Sequence, residues 1–525
     1  MTQIDPLAML KRYWPLLLIC AINAACLWPE LTPTPDLNDN VLHITLINGM
    51  ANALEHGQNP FDFWTPEIGL GEPIVKLYQP GAHAIVVALY FGMFKLVPLA
   101  TVFMWIRFLA LALIPVSFYA AARLLDLPRP ARIAAAMLAP LVSGDSFGID
   151  YGSYVWAGYG LFPQAVATHF LLLAVGFGWR AIRKGSNWIL PAGLLALTGW
   201  CNLLFGYVGG MTLIVIAAIP EPIYRTSRFR QLCKIGLFST ACALPKLSAW
   251  ISQPHGQASE TGGRAYMVNS FGAVKVLHDA FTGELLDHRR LPVLTILVAL
   301  GICVALLRKL PQTTFLIAAC AAWIALYFGR PFWGDSLYLV GITPIFQLHR
   351  LIGPVQIFGV MLAALALSWI WEYWHSAYAL LAIGLFLSPA IQERRVYLAQ
   401  NATWAAETRA AFAIDGPSIE RALTVAKQRG GRVYAGMPAT WGGKFKVGAV
   451  PVYSLLPPRQ ISCVGYLYIG FLPRNWSMYE FNDQRPADYA RMDVRTVIAP
   501  LWQPPLPGTA LIAIFGRFAV YAVQV

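Results

Sequence analysis

Val355-Gln-Ile-Phe-Gly-Val-Met-Leu-Ala-Ala-Leu-Ala-Leu-Ser-Trp-Ile370 runs for sixteen residues without a charge. A hydrocarbon core about 30 Å thick takes about 20 residues of helix to cross, so this stretch is nearly long enough alone. Val102–Ala122 and Ile235–Ile251 repeat the pattern, and the recurrence decides the class. Of 525 residues, 57% are hydrophobic and 12% charged, with a mean hydropathy of +0.55. Soluble domains carry about 25% charged residues. Because the buried fraction grows slowly with chain length, a water-soluble fold of this size has no place for so much apolar surface. The chain reads as a polytopic α-helical membrane protein.

The net charge of +13 does not point to nucleic acid, because the cations form no stripe. They sit in short clusters between apolar segments, as topology signals do. Lys11 and Arg12 precede Tyr13–Trp28 without a small-residue cleavage site, which predicts an uncleaved first span and a cytoplasmic N-terminus. Arg123, Arg129 and Arg132, then Arg180, Arg183 and Lys184, then Arg225, Arg228, Arg230 and Lys234, then Arg308 and Lys309 mark further cytoplasmic turns. All are satisfied together only if the apolar segment 81–97, which holds His83 and Lys95 and ends before Pro98, is juxtamembrane or re-entrant. The remaining spans fall at about 13–29, 101–122, 132–144, 163–180, 188–204, 206–220, 231–251, 291–307, 313–328, 353–371 and 376–391, about eleven in all.

This topology divides the chain into a transmembrane domain over 1–391, with a long first outer loop at 30–100, and an extracytoplasmic domain over 392–525. The tail changes character. It carries charges, Gly-Gly and Pro-Pro pairs and short β-like runs at Arg432–Ala435 and Val494–Ala499, the signs of a small α/β domain. The eight cysteines show no CxxC spacing and all but Cys463 lie in apolar segments, which argues against a thiol metal or redox site.

The first outer loop inverts the overall charge. Glu30, Asp36, Asp39, Glu55, Asp62, Glu67 and Glu72 stand against a single Lys76. Asp36 and Asp39 fall at the start of a predicted interfacial helix over Asn38–His56, where the helix dipole and capping favour carboxylates. Asp39 fits a simple cap as well as a catalytic acid or base. His43, one turn on, is placed to share a proton or a metal with it. A second outer loop, Gly144–Tyr151, adds Asp145 and Asp150, which fit a Gly/Asp turn as readily as a site. Arg264 follows two glycines that let backbone amides approach an anion. Trp64, Tyr78 and Trp156 are aromatic candidates for sugar or lipid contact.

The run Asp36-Leu-Asn-Asp39-x3-His43, followed by Gly57-x-Asn59-Pro60-Phe-x-x-Trp64-x-Pro66-x4-Gly71-x-Pro73-x4-Tyr78-x-Pro80, resembles the outer-loop signature of GT-C-type membrane glycosyltransferases. It is nearest to the YfhO-like and 6-pyruvoyl-tetrahydropterin-synthase-related bacterial membrane proteins. A fainter likeness appears at Gln347-Leu-His349-Arg350. The resemblance implies a GT-C-like bundle in the cytoplasmic (inner) membrane and a polyprenyl-phosphate-linked sugar as donor. It also implies a lipid-linked or cell-envelope glycan acceptor and a divalent cation (Mg or Mn) as the one cofactor to consider. On that basis Asp39 is the base, with Asp36 and His43 beside it. Arg264, Lys76, Arg350 and His349 would meet the donor phosphate, and Asp145 and Asp150 would be supporting carboxylates or metal ligands. The competing class is a non-catalytic lipid-linked saccharide transporter or envelope assembly factor. A carrier needs ionisable groups along a midplane path, whereas here His169, Arg107 and Lys246 are the exceptions to charges crowded into the outer loops. No internal repeat of the carrier kind is visible.

Overall fold

The computed structural model describes residues 6–31, 37, 39–142, 161–220, 225–251, 265–343, 346–465 and 473–524. The chain forms two compact units, both discontinuous in sequence: Met1–Leu31, Ile106–Pro245 and Gln257–Ala399 make the first, and Thr32–Trp105, Lys246–Gly256 and Gln400–Val525 the second.

The first unit is built around the helix Ile352–Trp374, which contains the opening stretch and is buried without interruption from Ile352 to Ser368. A helix apolar on every side has no face to give to water, so it takes the centre. The helices Val293–Arg308, Arg129–Leu138 and Pro311–Tyr327 pack against it. Gly301 allows the closest of these approaches, since a Cβ there would lie 2.0 Å from the Leu362 carbonyl oxygen. Small residues at such crossings are the usual device of helices packed in lipid, where dispersion and close contact replace the hydrophobic effect.

The eleven expected spans are not all found as full-length helices among the described residues. Among the described residues, Phe162–Lys184 and Leu348–Trp374 are long and apolar enough to cross a membrane alone. Two bent pairs raise the number to four: Leu99–Ala112 with Ile114–Leu124 (46°), and Pro311–Tyr327 with Arg330–Val340 (82°). Six further apolar helices, among them Arg12–Cys26, Ile189–Cys201, Leu203–Ala218 and Val293–Arg308, are shorter. The physical reason is punctuation inside apolar runs. Asn202 ends one helix and starts the next, its side chain accepting the Phe205 N–H at 3.0 Å. Leu113 and Pro115 break the run 99–124, and the carbonyls of Leu111 and Ala112 at the break accept Asn23 Nδ2 at 3.1 and 3.0 Å. A backbone break at membrane depth is tolerated when such a side chain satisfies the freed carbonyls. Segment 81–97 yields the helix Gly81–Gly92, whose twelve residues reach only about 18 Å.

The second unit joins the first outer loop to the tail. Its sheet has five strands in the order β4-β1-β5-β7-β6: β1 is Arg432–Tyr434, β4 Cys463–Val464, β5 Val494–Pro500, β6 Thr509–Phe515 and β7 Phe518–Val523. A separate pair, β2 (Lys446–Val447) and β3 (Val450–Pro451), is antiparallel. β1 lies parallel to both β4 and β5, and β7 is antiparallel to β5 and β6. Tyr434, Val464, Phe481, Tyr489, Val497 and Tyr521 form the core, and Leu70 of the loop packs against it. The expected boundary at 391/392 falls inside one helix, Ser388–Arg429.

Candidate functional site

The acidic loop is held by the tail through paired polar groups. Thr65 and Glu72 exchange backbone hydrogen bonds at 2.9 and 3.2 Å, closing a short hairpin. Buried Asn475 donates to the fully buried Glu72 carboxylate at 3.1 Å and accepts the Leu70 N–H at 2.9 Å. Arg432 Nη2 donates to the Leu70 carbonyl at 3.1 Å, and Asn48 Nδ2 to the Pro458 carbonyl at 3.1 Å. The hairpin carries Trp64, 54% exposed, over Gly71. That glycine has φ +88°, and an added Cβ would meet the indole at 2.7 Å. Trp64 is therefore a flat apolar face presented to solvent by a rigid turn.

Asp39 is the residue before the helix Asn40–Glu55. Its side chain makes no capping hydrogen bond, so the simple cap reading does not account for it. Its carbonyl accepts the His43 N–H at 3.0 Å. His43 is fully buried, and its Nδ1 lies 3.1 Å from Nε2 of His83, also fully buried, on the helix Gly81–Gly92. Burial, then the neighbouring His43, drive the His83 pKa well below the usual imidazole value, because loss of water and a like charge both disfavour the protonated ring. Tyr78 is half-buried against both rings, with centroids 6.3 Å from His43 and 5.9 Å from His83.

Sequence reasoning missed His83 and Lys246 as members of this cluster. Lys246 Nζ donates to the carbonyls of Val75 (2.7 Å) and Lys76, which close the short helix Ile74–Leu77 and otherwise lack intrahelical partners. The available signal was a lysine inside an apolar run, which is a functional pointer by default. Glu67, in the same loop, has its carboxyl pKa raised by burial, partly offset by its own backbone and by Lys427.

The remaining expected residues divide. Asp36, Asp145, Asp150, Trp156 and Arg264 lie outside the described residues. Lys76 is exposed and paired with Asp62 at 3.0 Å. His349 and Arg350 belong to the first unit. His349 Nδ1 donates to the Met267 carbonyl at 2.7 Å, three residues beyond Arg264, so these two outer segments meet. Arg350 Nε is buried with no hydrogen-bond partner among the described residues. His169 accepts from Ser117 at 2.6 Å and donates to the Ala110 carbonyl at 2.7 Å, which makes it a hydrogen-bonded core histidine. Arg290, another outer cation, is committed to Asp287 (3.0 Å) and Glu393 (2.5 Å). Among the described residues no three His, Cys, Asp or Glu side chains gather closely enough to hold a metal.

The fold is similar to those of solved glycosyltransferases. The mycobacterial arabinofuranosyltransferase AftD superposes with a TM-score of 0.58 at 16% identity, over 98% of this chain and 40% of that one. The oligosaccharyltransferase AglB from Archaeoglobus fulgidus, solved with an inhibitory peptide and a dolichol-phosphate, gives 0.52 at 13% identity over 94% and 70%. This chain thus spans about two fifths of the arabinofuranosyltransferase. These likenesses show a shared fold. Residues 12–430 match the model of a family of unknown function, DUF6541, and the chain belongs to that family. The match is not to the YfhO-like group that its loop motif resembles. No curated protein matches it by sequence.

Proposed function

We propose that this protein is a glycosyltransferase of the cytoplasmic (inner) membrane, with its N-terminus in the cytoplasm and its tail unit outside. It moves a sugar from a polyprenyl phosphate to a lipid-linked or cell-envelope acceptor at the outer face. The observation that carries the reading is Asp39: a carboxylate at the head of a buried helix, not used as a cap, in a fold shared with membrane glycosyltransferases. The dolichol-phosphate in the archaeal oligosaccharyltransferase supports a lipid phosphate as donor.

The chemistry asks for few parts. The acceptor hydroxyl gives its proton to Asp39 as its oxygen bonds to the anomeric carbon. The carbon–oxygen bond to the phosphate breaks, and the lipid phosphate leaves with the electron pair. Arg350, whose Nε is buried without a partner among the described residues, is the candidate for that charge, and Arg264 and His349 are the other candidate donors. Lys76 would exchange its exposed partner Asp62 for phosphate at little cost, because exposed pairs contribute only about 0–1 kcal/mol. Trp64 offers a sugar-stacking face, while Tyr78 contacts the ligand from its packing against the histidines. A divalent cation is the one cofactor this reading allows, with Asp36, Asp145 and Asp150 as its candidate carboxylates.

Wild-type protein and Asp39→Asn in proteoliposomes, supplied with a panel of labelled polyprenyl-phosphate sugars and envelope lipid extract, provide the test. Loss of transfer by about 10²–10⁴-fold is expected. Undiminished transfer removes Asp39 as base, and no transfer by wild type across the panel refutes the function.

A further inference from the structure

We propose that the helix Ala273–Thr282 and the segment Arg330–Val340 form a collar lying in the lipid–water boundary of the bilayer, with lipid as the partner of their exposed apolar side chains. In the topology proposed above this is the outer boundary. The inference rests on the membrane reading and goes beyond it by naming the surface that sits at the interface.

The helix Ala273–Thr282 has three faces. Successive helical residues turn by about 100°, so Val274, Leu277 and Phe281 fall within an arc of about 60°. Val274 is 85% and Phe281 87% exposed, and Leu277 is exposed as well. Val276, 1% exposed, points about 130° away from that arc, into the protein. Lys275, His278 and Asp279 occupy the third face, where Lys275 Nζ pairs with Asp279 at 2.5 Å. A helix at a protein surface in water needs two faces, one for the core and one for solvent. A third, apolar and turned outward, suits a helix that meets protein, lipid and water at once.

The collar is tied to the end of one apolar helix. Ser270 Oγ donates to the Tyr327 carbonyl at 2.6 Å, and the Gly272 N–H to the Phe328 carbonyl at 2.9 Å, where Pro311–Tyr327 stops. There the chain bends by 82° into Arg330–Val340, the turn expected where a span gives way to a segment running along the membrane surface. A Cβ on Gly272 would lie 3.4 Å from Cβ of Pro331, so the two segments touch at this point. The second contributes Phe332, Trp333 and Leu339, all exposed. Trp333 donates its indole N–H to the Ala325 carbonyl at 2.6 Å, which satisfies the polar atom while the ring stays outward, as interfacial tryptophans do. Single exposed apolar side chains are ordinary; six large ones gathered round one helix end mark a surface with a partner. Each segment carries one cation and one carboxylate, Lys275 with Asp279 and Arg330 with Asp335. Attraction to anionic headgroups therefore does not drive the contact, and insertion of the apolar side chains does.

The experiment is electron paramagnetic resonance on the full-length protein, one copy per phosphatidylcholine nanodisc. A nitroxide carried on p-acetylphenylalanine, introduced at one position at a time, leaves the native cysteines untouched. Collisions with oxygen, which concentrates in lipid, should exceed those with nickel-EDDA, which stays in water, at Val274, Leu277, Phe281, Phe332 and Leu339. At Lys275 and His278 the order should reverse. A label at Ile214, 48% exposed on the helix Leu203–Ala218, reports on the surface of a span itself. Nickel dominating at Val274, Leu277 and Phe281, with oxygen dominating at Ile214, would overturn the collar and leave the membrane reading standing. Nickel dominating at Ile214 as well would overturn both. Equal accessibility at Val274 and Lys275 would refute the three faces of the helix. Exclusion of both reagents from Val274 and Phe281 in liposomes, with spin–spin broadening, would put a second copy on this face and overturn lipid as its partner.

Discussion

Asn475→Ala is the most direct probe of how the acidic loop is held. The side chain it removes is 0% exposed and makes two hydrogen bonds, to the Glu72 carboxylate at 3.1 Å and from the Leu70 N–H at 2.9 Å. A neutral hydrogen bond contributes about 0.5–1.5 kcal/mol and one to a charged group about 1.5–3. The sum, about 2–4.5 kcal/mol, should appear as easier local opening of the hairpin. At about 1.4 kcal/mol per tenfold, the Thr65, Leu70 and Glu72 amides would exchange with deuterium roughly 30- to 1,600-fold faster. Amides in the helix Ile352–Trp374, in the other unit, would be unchanged. Peptide-resolved hydrogen exchange in detergent or nanodiscs measures this, and a double-mutant cycle with Glu72→Gln isolates the charged part. Protection in 65–72 that falls less than threefold would refute the view that the tail holds the loop through this residue.

Three further outcomes follow from the geometry. Gly301→Ala should cost about 1–3 kcal/mol as an overpacked contact, because its Cβ would meet backbone at Leu362; thermal unfolding in detergent reports it. Glu67 has a raised folded pKa, so the folded state holds its proton to higher pH than the unfolded chain. That term favours folding below the unfolded value near 4.3 and is lost as pH rises through the folded value. Glu67→Gln should accordingly raise Tm at neutral pH and leave it unchanged at pH 4, as scanning calorimetry at both pH values would show. Arg350→Gln should weaken binding of polyprenyl phosphate by about tenfold or more, as expected for loss of a charge-assisted bond, measurable by competition with a fluorescent lipid phosphate.

Much of the fold was legible because burial in lipid writes itself into composition. Val355–Ile370 announced the central helix, and the β-like runs at 432–435 and 494–499 became β1 and β5. The breaks inside apolar runs were not legible. Hydropathy sums over a window, whereas Asn202 caps a new helix through its side chain and Pro115 stands in the first turn after a break, and only the structure shows Asn23 taking the carbonyls that this break releases.

The site divides along the same line. Sequence alone determined that an acidic segment stands apart in a basic, apolar chain, and that Asp39 and His43 share one turn of a helix, because both facts are local. Tertiary structure alone decided that His83, forty residues on, faces His43, and that Lys246 closes the turn at Val75 and Lys76. It also decided that residue 475 holds the loop at residue 72. Those pairings are set by packing between distant segments, and no periodicity in the chain records which buried polar group meets which.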